Sequence, residues 1–388
     1  MRKINFAIFF SVALSVYALI NYYIFIREWE AGGHLASWRG IYVAAFLTLS
    51  LSYIVGRMME RVAMTWLSDL LVMLGSFWLA AMVYFLLFAF AIDIVRLFNY
   101  FFHFLPSSFS VNPEQTKEIT SLIVLGIVVI IVAAGYFNAR SPRIRKLDLA
   151  VHKNGGSLKS LTIAVASDIH LGTIVCKSRL EKIVGIMNSL DPDLVLLPGD
   201  VVDEDLGPVI RNNLGETLRK IRSKYGVFAI TGNHEYIGGV EPACKYLADH
   251  GITMLRDSSV KVAESLYIVG REDISIRGFA GKTRKPLGEL MDGLDKSCPV
   301  ILMDHQPFRL EEAETHGVDL QLSGHTHHGQ LWPFNFITKK VYELSWGYKK
   351  RGNTHYYVSC GVGTWGPPVR TGNRPEIISI RLEFSTAS

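Results

Sequence analysis

Five short clusters of acidic, amide and imidazole side chains lie in the second part of this 388-residue chain. In order they are Asp168-Ile169-His170, Gly199-Asp200-Val201-Val202-Asp203, Gly232-Asn233-His234-Glu235, Asp304-His305 and Gly324-His325-Thr326-His327. Carboxylate oxygens mixed with imidazole nitrogens suit first-row divalent cations such as manganese, iron, zinc or cobalt. A carboxylate can bridge, so a single set of this kind can hold two ions roughly 3.5–4 Å apart. Such a centre is equipped for in-line displacement at phosphorus, with a metal-activated hydroxide as nucleophile. An imidazole beside it can protonate the departing oxygen near neutral pH.

Those side chains need a rigid frame, and the sequence supplies one. Each cluster directly follows an apolar run: LTIAVAS, LVLLP, VFAIT, PVILM and VDLQLS. Between the first three runs lie helical stretches. One is capped by Ser178, with Leu180, Ile183, Val184, Met187 and Leu190 on one face; another spans residues 209–224. A third helical stretch, 242–250, stops at Gly251. The alternation reads as βαβαβ with polar strand ends. Further strands are predicted at ITML, VKVAE, LYIVG, ISIRGF, THYYVSC and EIISIRLEF, giving a sheet-rich α/β sandwich. Alternate residues of a strand face opposite sides, so both ends of D-x-H or H-x-H converge only from loops just past the strand ends. Gly172, Gly199, Gly232 and Gly324 are placed to permit those turns.

The five ordered blocks resemble the calcineurin-like metallophosphoesterase superfamily, whose pattern is D-x-H, G-D-x-x-D, G-N-H-[ED], a lone His and G-H-x-H. The resemblance runs from about Leu161 to Leu382. It implies a calcineurin-like β-sandwich flanked by helices and two divalent metal ions, manganese, iron or zinc. Residue by residue, it implies that Asp168, His170 and His327 bind one ion and that Asn233, His305 and His325 bind the other. Asp200 would bridge them alongside a water or hydroxide. His234 matches the non-ligand histidine near the leaving group, and Asp203 the acid that orients it; no ligand role follows for Asp304 or Glu235. The longer block Gly324–Pro333, with GVGTWGPPVR at 361–370 and Pro375-Glu376-Ile377, is similar to membrane-associated phosphodiesterases of the bacterial type. Those include enzymes that cleave the pyrophosphate of UDP-2,3-diacylglucosamine. Protein serine/threonine phosphatases of the superfamily carry an arginine after the second aspartate of G-D-x-x-D, where this chain has Glu204. His328 reads as a solvated loop residue, with substrate contact the alternative, and Arg370 as a surface arginine in a Gly/Pro-rich turn, with pairing to a phosphate the alternative.

The first part of the chain belongs to another solvent. Residues 1–146 carry 12 Lys/Arg against 7 Asp/Glu, whereas residues 147–388 carry 28 of each, so the whole net charge of +5 sits before the break. Four charge-free runs lie between Lys3 and Arg27, Arg39 and Arg57, Asp69 and Asp93, and Glu118 and Arg140, holding 23, 17, 23 and 21 residues. A bilayer core of roughly 30 Å needs about 20 helical residues. The expected organisation is therefore an α-helical membrane domain of four spans over residues 1–146, followed by a metallophosphoesterase domain over 147–388. Eight Lys/Arg flank the N-terminus, the second loop and the end of the fourth run, against four on the other side, which puts the catalytic domain in the cytoplasm. No ionisable residue falls inside a run, so an anchor is expected rather than a transport path. The uncharged, Phe-rich stretch 97–113 is expected to lie in the membrane interface.

The balanced charge of the second part excludes an electrostatic footprint for nucleic acid. Its four cysteines, with no C-x-x-C pair, exclude a disulfide scaffold and a Cys-type zinc site. A domain tethered 21 residues beyond the last run stays near lipid head groups, and Arg140, Arg143, Arg145 and Lys146 suit an anionic surface at about 1 kcal/mol each. The expected substrate is thus a lipid-linked phosphodiester or pyrophosphate rather than a monoester. The alternatives are a phosphatase acting on soluble nucleotides or proteins, a degenerate scaffold, which the intact donor set disfavours, and a receptor whose soluble domain answers a ligand.

Overall fold

The computed structural model describes residues 2–31, 39–106 and 112–385, which pack as two compact units, Met1–Gly135 and Tyr136–Ser388. The first is helical: α1 (Arg2–Ala31), α2 (Arg39–Val62), α3 (Trp66–Phe102) and α4 (Pro113–Ala139). Each is long and apolar enough to cross a membrane. Thr65 starts α3 with a reciprocal cap, its side chain accepting from Ser68 N at 3.2 Å while Ser68 Oγ accepts from Thr65 N at 2.9 Å. α2 and α3 touch backbone to backbone: a Cβ on Gly56 would overlap Val72, and one on Gly75 would overlap Tyr53. Such small-residue crossings suit lipid, where close packing replaces the hydrophobic drive. Residues 97–102 of the Phe-rich stretch form the last turns of α3, because no Gly or Pro breaks the helix before Pro106. Residues 107–111 of that stretch lie outside the described residues.

The second unit is built on two six-stranded sheets. One has the order β1-β12-β2-β3-β4-β5 and the other β10-β11-β9-β8-β7-β6. The strands of the first are β1 (Arg143–Val151), β2 (Ser160–Val165), β3 (Leu194–Leu197), β4 (Val227–Ala229), β5 (Thr253–Met254) and β12 (Glu376–Phe384). Those of the second are β6 (Ser258–Val262), β7 (Leu266–Gly270), β8 (Val300–Met303), β9 (Leu320–Ser323), β10 (Gly347–Arg351) and β11 (Thr354–Val358). Period-two alternation divides their side chains between two cores. Ile163, Leu194 and Leu196 of one sheet meet Ile301, Met303, Leu320 and Leu322 of the other. Val300 and Leu302 turn outward against Leu287, Leu290 and Leu310. Strands buried on both faces read as continuous apolar runs, which is what marks β3, β8 and β9 in the sequence.

β2, β3 and β4 pair in parallel, as do β7, β8, β9 and β11, so the ends of β2, β3, β4, β8 and β9 that carry the five clusters are all carboxyl ends. Some expectations are corrected. The ISIRGF segment is a helical turn, Ile276–Phe279, because Asp273 Oδ1 accepts from Ser275 N at 2.8 Å and turns the chain. The expected helix over 209–224 breaks into Gly207–Arg211 and Gly215–Leu218. Arg143, Arg145 and Lys146, expected to close the membrane-facing segment, open edge strand β1, which pairs in parallel with β12.

Candidate metal centre

The D-x-H and H-x-H motifs both reach the same place because their backbones are left-handed. φ is 54° at Asp168, 52° at His170, 51° at Asp200, 70° at His325 and 44° at His327. Asp, Asn and His tolerate that region better than other non-glycine residues, so these residue types serve backbone as well as chemistry. Two glycines let the loops close: a Cβ on Gly232 would overlap the Asp200 carboxylate, and one on Gly324 would overlap Ser167 and Asp168.

All nine residues singled out in the sequence come together. Asp168, His170 and His327 form one triad of converging ligand atoms, Asp200, His305 and His325 a second, and His170, Asp203 and His234 a third. Asn233 joins the second through Oδ1, 2.7 Å from His325 Nδ1. Asp200 lies between the first two, its Oδ2 3.1 Å from His305 Nε2 and 3.8 Å from His170 Nε2. Backbone hydrogen bonds hold both aspartates: His325 N donates to Asp168 Oδ1 at 2.8 Å and His234 N to Asp200 Oδ1 at 2.9 Å.

The donors fit cations. Nε2 of His170 and Nε2 of His327 face each other at 3.0 Å, and His327 Nε2 is 3.6 Å from Asp168 Oδ1. His305 Nδ1 bonds to Pro198 O at 2.7 Å, which aims the buried Nε2 at Asp200 Oδ2, 3.1 Å away. Converging acceptors of this kind are what a divalent ion needs.

Charge sets the protonation. Burial would lower His305, but the Asp200 carboxylate outweighs it and holds the imidazole well above its usual value. His325 is pushed down to about 4 by burial and then by His305. His234 is also depressed by burial, yet Asp200 and its partner Asp203, 3.0 Å from Nδ1, raise it to about 9. Burial alone would raise Asp203, but hydrogen bonding to His170 and His234 keeps it well below the usual carboxylate range. The buried His234 imidazole is thereby built to carry a proton, with Asp203 fixing Nδ1.

Several side chains at the site were not read as functional in the sequence. Glu235 is buried and accepts from Gly232 N at 2.7 Å, Val202 N at 2.9 Å and Asp200 N at 3.1 Å, tying two motifs together. Its place three residues after Gly232 is the signal that could have revealed it. Burial, then the Asp200 charge, lift its carboxyl to about 7. Arg370 and His328, expected at the surface, are buried. His328 packs on Trp346 and meets Ser345 Oγ at 3.1 Å. Arg370 is wholly enclosed, donating to Gly363 O at 2.7 and 3.0 Å and standing 3.2 Å from His327 Nδ1. Trp365 closes on the edge of His234, with ring centroids 5.9 Å apart.

The profile of the calcineurin-like phosphoesterase family matches residues 161–329. An uncharacterized metallophosphoesterase of Helicobacter pylori is 33% identical over 281 residues, covering 70% of this chain and 73% of its own length. One from Campylobacter jejuni is 29% identical over 387 residues, 97% of this chain and 99% of that protein, so the similarity takes in the apolar helices. A transmembrane protein with metallophosphoesterase domain from Danio rerio is 31% identical over 279 residues, covering 68% of this chain and 62% of that one.

Proposed function

Since the chain belongs to the calcineurin-like metallophosphoesterase family, we propose that it is a membrane-anchored hydrolase of phosphodiester or pyrophosphate bonds in lipid-linked substrates. Membership makes it a metal-dependent phosphoesterase and implies a dinuclear divalent centre. Asp168, His170 and His327 would hold one ion, Asn233, His305 and His325 the other, with Asp200 shared. Bound there, the ions supply charge neutralisation to the phosphoryl oxygens and acidify water. The protein's own contribution lies in the second carboxylate–imidazole layer. His234, paired at 3.0 Å with Asp203, is held protonated at the rim of the centre and delivers that proton to the leaving oxygen. That pair carries the reading: a buried imidazole held by a carboxylate at 3.0 Å, its ring 4.5 Å from that of the proposed ligand His170, is placed as a general acid must be.

The lipid-linked substrate rests on tethering. The catalytic unit begins in the last turn of α4, and β1 opens at Arg143, so head groups are its nearest substrates. The Lys/Arg bias of the flanks supports a cytoplasmic catalytic unit. The test uses detergent-solubilised full-length protein, stripped of metal and reloaded with manganese, on an activated aryl phosphodiester beside its monoester. Manganese-dependent diester cleavage lost in His234→Ala supports the reading. Turnover of the monoester alone overturns the diester preference, and equal rates on free and bilayer-borne diesters overturn the lipid preference.

A further inference from the structure

From Trp332 to Val341 the chain runs along the surface of the domain without a buried residue. The segment includes a short helix, Asn335–Val341, with no buried residue among its seven. Phe336, Ile337 and Val341 are 61%, 59% and 57% exposed, and Trp332 and Phe334 on the way out are exposed too. Exposed apolar side chains scattered singly need no explanation, but five within ten residues form a patch that does. Lys339 and Lys340, both exposed, accompany it.

We propose that this excursion is a second membrane contact, inserting its aromatic and aliphatic side chains into the interface of an anionic bilayer. Three observations point to lipid rather than to a protein partner. The composition is that of an interfacial anchor, Trp and Phe with lysines beside them. Its root lies where the chain leaves its fourth apolar helix. Gln330 O accepts from Thr371 N and Gly372 N at 3.0 Å each, and Trp332 N donates to Thr371 Oγ1 at 2.9 Å. The same loop takes Asn138 Nδ2 on Arg370 O at 2.9 Å and Asn373 O at 2.7 Å, and Arg374 Nε donates to Ser141 O at 2.7 Å. One loop therefore anchors both the excursion and the end of a helix apolar enough to cross a membrane.

The third observation concerns what insertion does to the site. The excursion starts at His327 and ends at Tyr342, whose ring lies 6.2 Å from that of His325. Both ends are thus tied to candidate metal ligands, and Gln330 Nε2 also donates to Trp365 O at 3.0 Å beside His234. Seating the excursion in the interface sets the mouth of the centre at head-group depth. This inference concerns depth and does not depend on which phosphate ester is cleaved.

Its test therefore reads position rather than turnover. Phe336→Cys is made in full-length protein carrying Cys176→Ser, since Cys244, Cys298 and Cys360 are buried and Cys176 is not. Ile210→Cys, on an exposed residue away from this segment, serves as control. Each is labelled with an environment-sensitive fluorophore and reconstituted into vesicles of phosphatidylethanolamine and phosphatidylglycerol. The label at 336 is expected to shift to the blue, to be quenched several-fold more by nitroxide-bearing lipid than the label at 210, and to be shielded from aqueous iodide. Adding Lys339→Glu and Lys340→Glu is expected to reverse much of that shift. Iodide access equal to that of the control overturns the proposal. Shielding from iodide without quenching by lipid nitroxide overturns it in favour of a protein contact, such as a second copy.

Discussion

The buried guanidinium of Arg370 stands 3.2 Å from Nδ1 of His327. A guanidinium only donates, so that nitrogen must accept, and the proton of the neutral ring sits on Nε2. That proton points at Nε2 of His170, 3.0 Å away, which must accept in turn; the His170 proton then lies on Nδ1, 3.5 Å from Asp203 Oδ1. One chain of donors and acceptors thus runs from Arg370 through two proposed ligands to Asp203.

Filling the centre has to displace a proton. A cation on His305 replaces the proton that the Asp200 carboxylate keeps on that ring, whereas the neutral His327 ring has no net proton to give up. Because the His305 value is raised, its proton competes up to that raised value, and the competition eases as pH climbs. Metal affinity is expected to grow by about tenfold per pH unit for each proton released, over the range below the His305 value. Titration calorimetry in two buffers of different ionisation heat counts the protons released; none released would contradict a protonated His305.

Removing the guanidinium tests the chain from its other end. Arg370→Met leaves Gly363 O and the Asn373 side chain without their donor and is expected to destabilise the domain by about 1–3 kcal/mol for each acceptor left unsatisfied. The ion on Asp168, His170 and His327 should weaken more than the ion on His305 and His325, so metal content falls towards one per chain. Equal loss of both ions would show that Arg370 acts on the fold alone. Denaturant midpoints and metal analysis of the same sample separate the two.

Turnover is expected to depend on His234 without any matching dependence in metal content. His234→Ala should keep two ions and lose about 10²–10⁴-fold in rate, most with poor leaving groups. Asp203→Asn should retain part of the rate while its alkaline limb moves to lower pH, since Asp203 is one of the charges that keep the imidazole protonated. The pH–rate profile of each variant is the measurement. An unchanged alkaline limb in Asp203→Asn would remove His234 as the acid.

Glu235 is expected to matter for the frame. Glu235→Ala strands three buried N–H groups, each costing about 1–3 kcal/mol when unsatisfied. A loss of several kcal/mol in denaturant unfolding is expected, together with weaker metal binding through displacement of Asp200. Glu235→Gln keeps the shape and one acceptor oxygen and should fall in between. A fully stable alanine variant would show that water replaces the clamp.

What the sequence made legible follows separation along the chain. Asp168, Asp200, Asn233, His305 and His325 each sit within a few residues of an apolar strand end, so motif and periodicity pointed to one rim. Contacts across long separations left no trace: nothing around Arg370 marks it as the partner of His327, nor Trp365 as the neighbour of His234. His328 and Arg370 read as surface residues because their types usually are, and burial is decided by tertiary partners. β1 was hidden by its own arginines, though Leu147, Leu149 and Val151 alternate behind them. The Asn335–Val341 helix buries no residue, so it has no core-facing stripe to announce it.

The place of β12 bears on how the enzyme is made. It lies between β1 and β2, pairing in parallel with one and antiparallel with the other. On the ribosome both neighbours emerge early, yet β1 gains its partner, and β2 its second one, only once Glu376–Phe384 has been synthesised. β1 therefore waits with an open edge, and the sheet carrying Asp168 and Asp200 stays unfinished. The centre is accordingly completed only after translation of nearly the whole chain, which leaves nascent copies without a finished hydrolytic site.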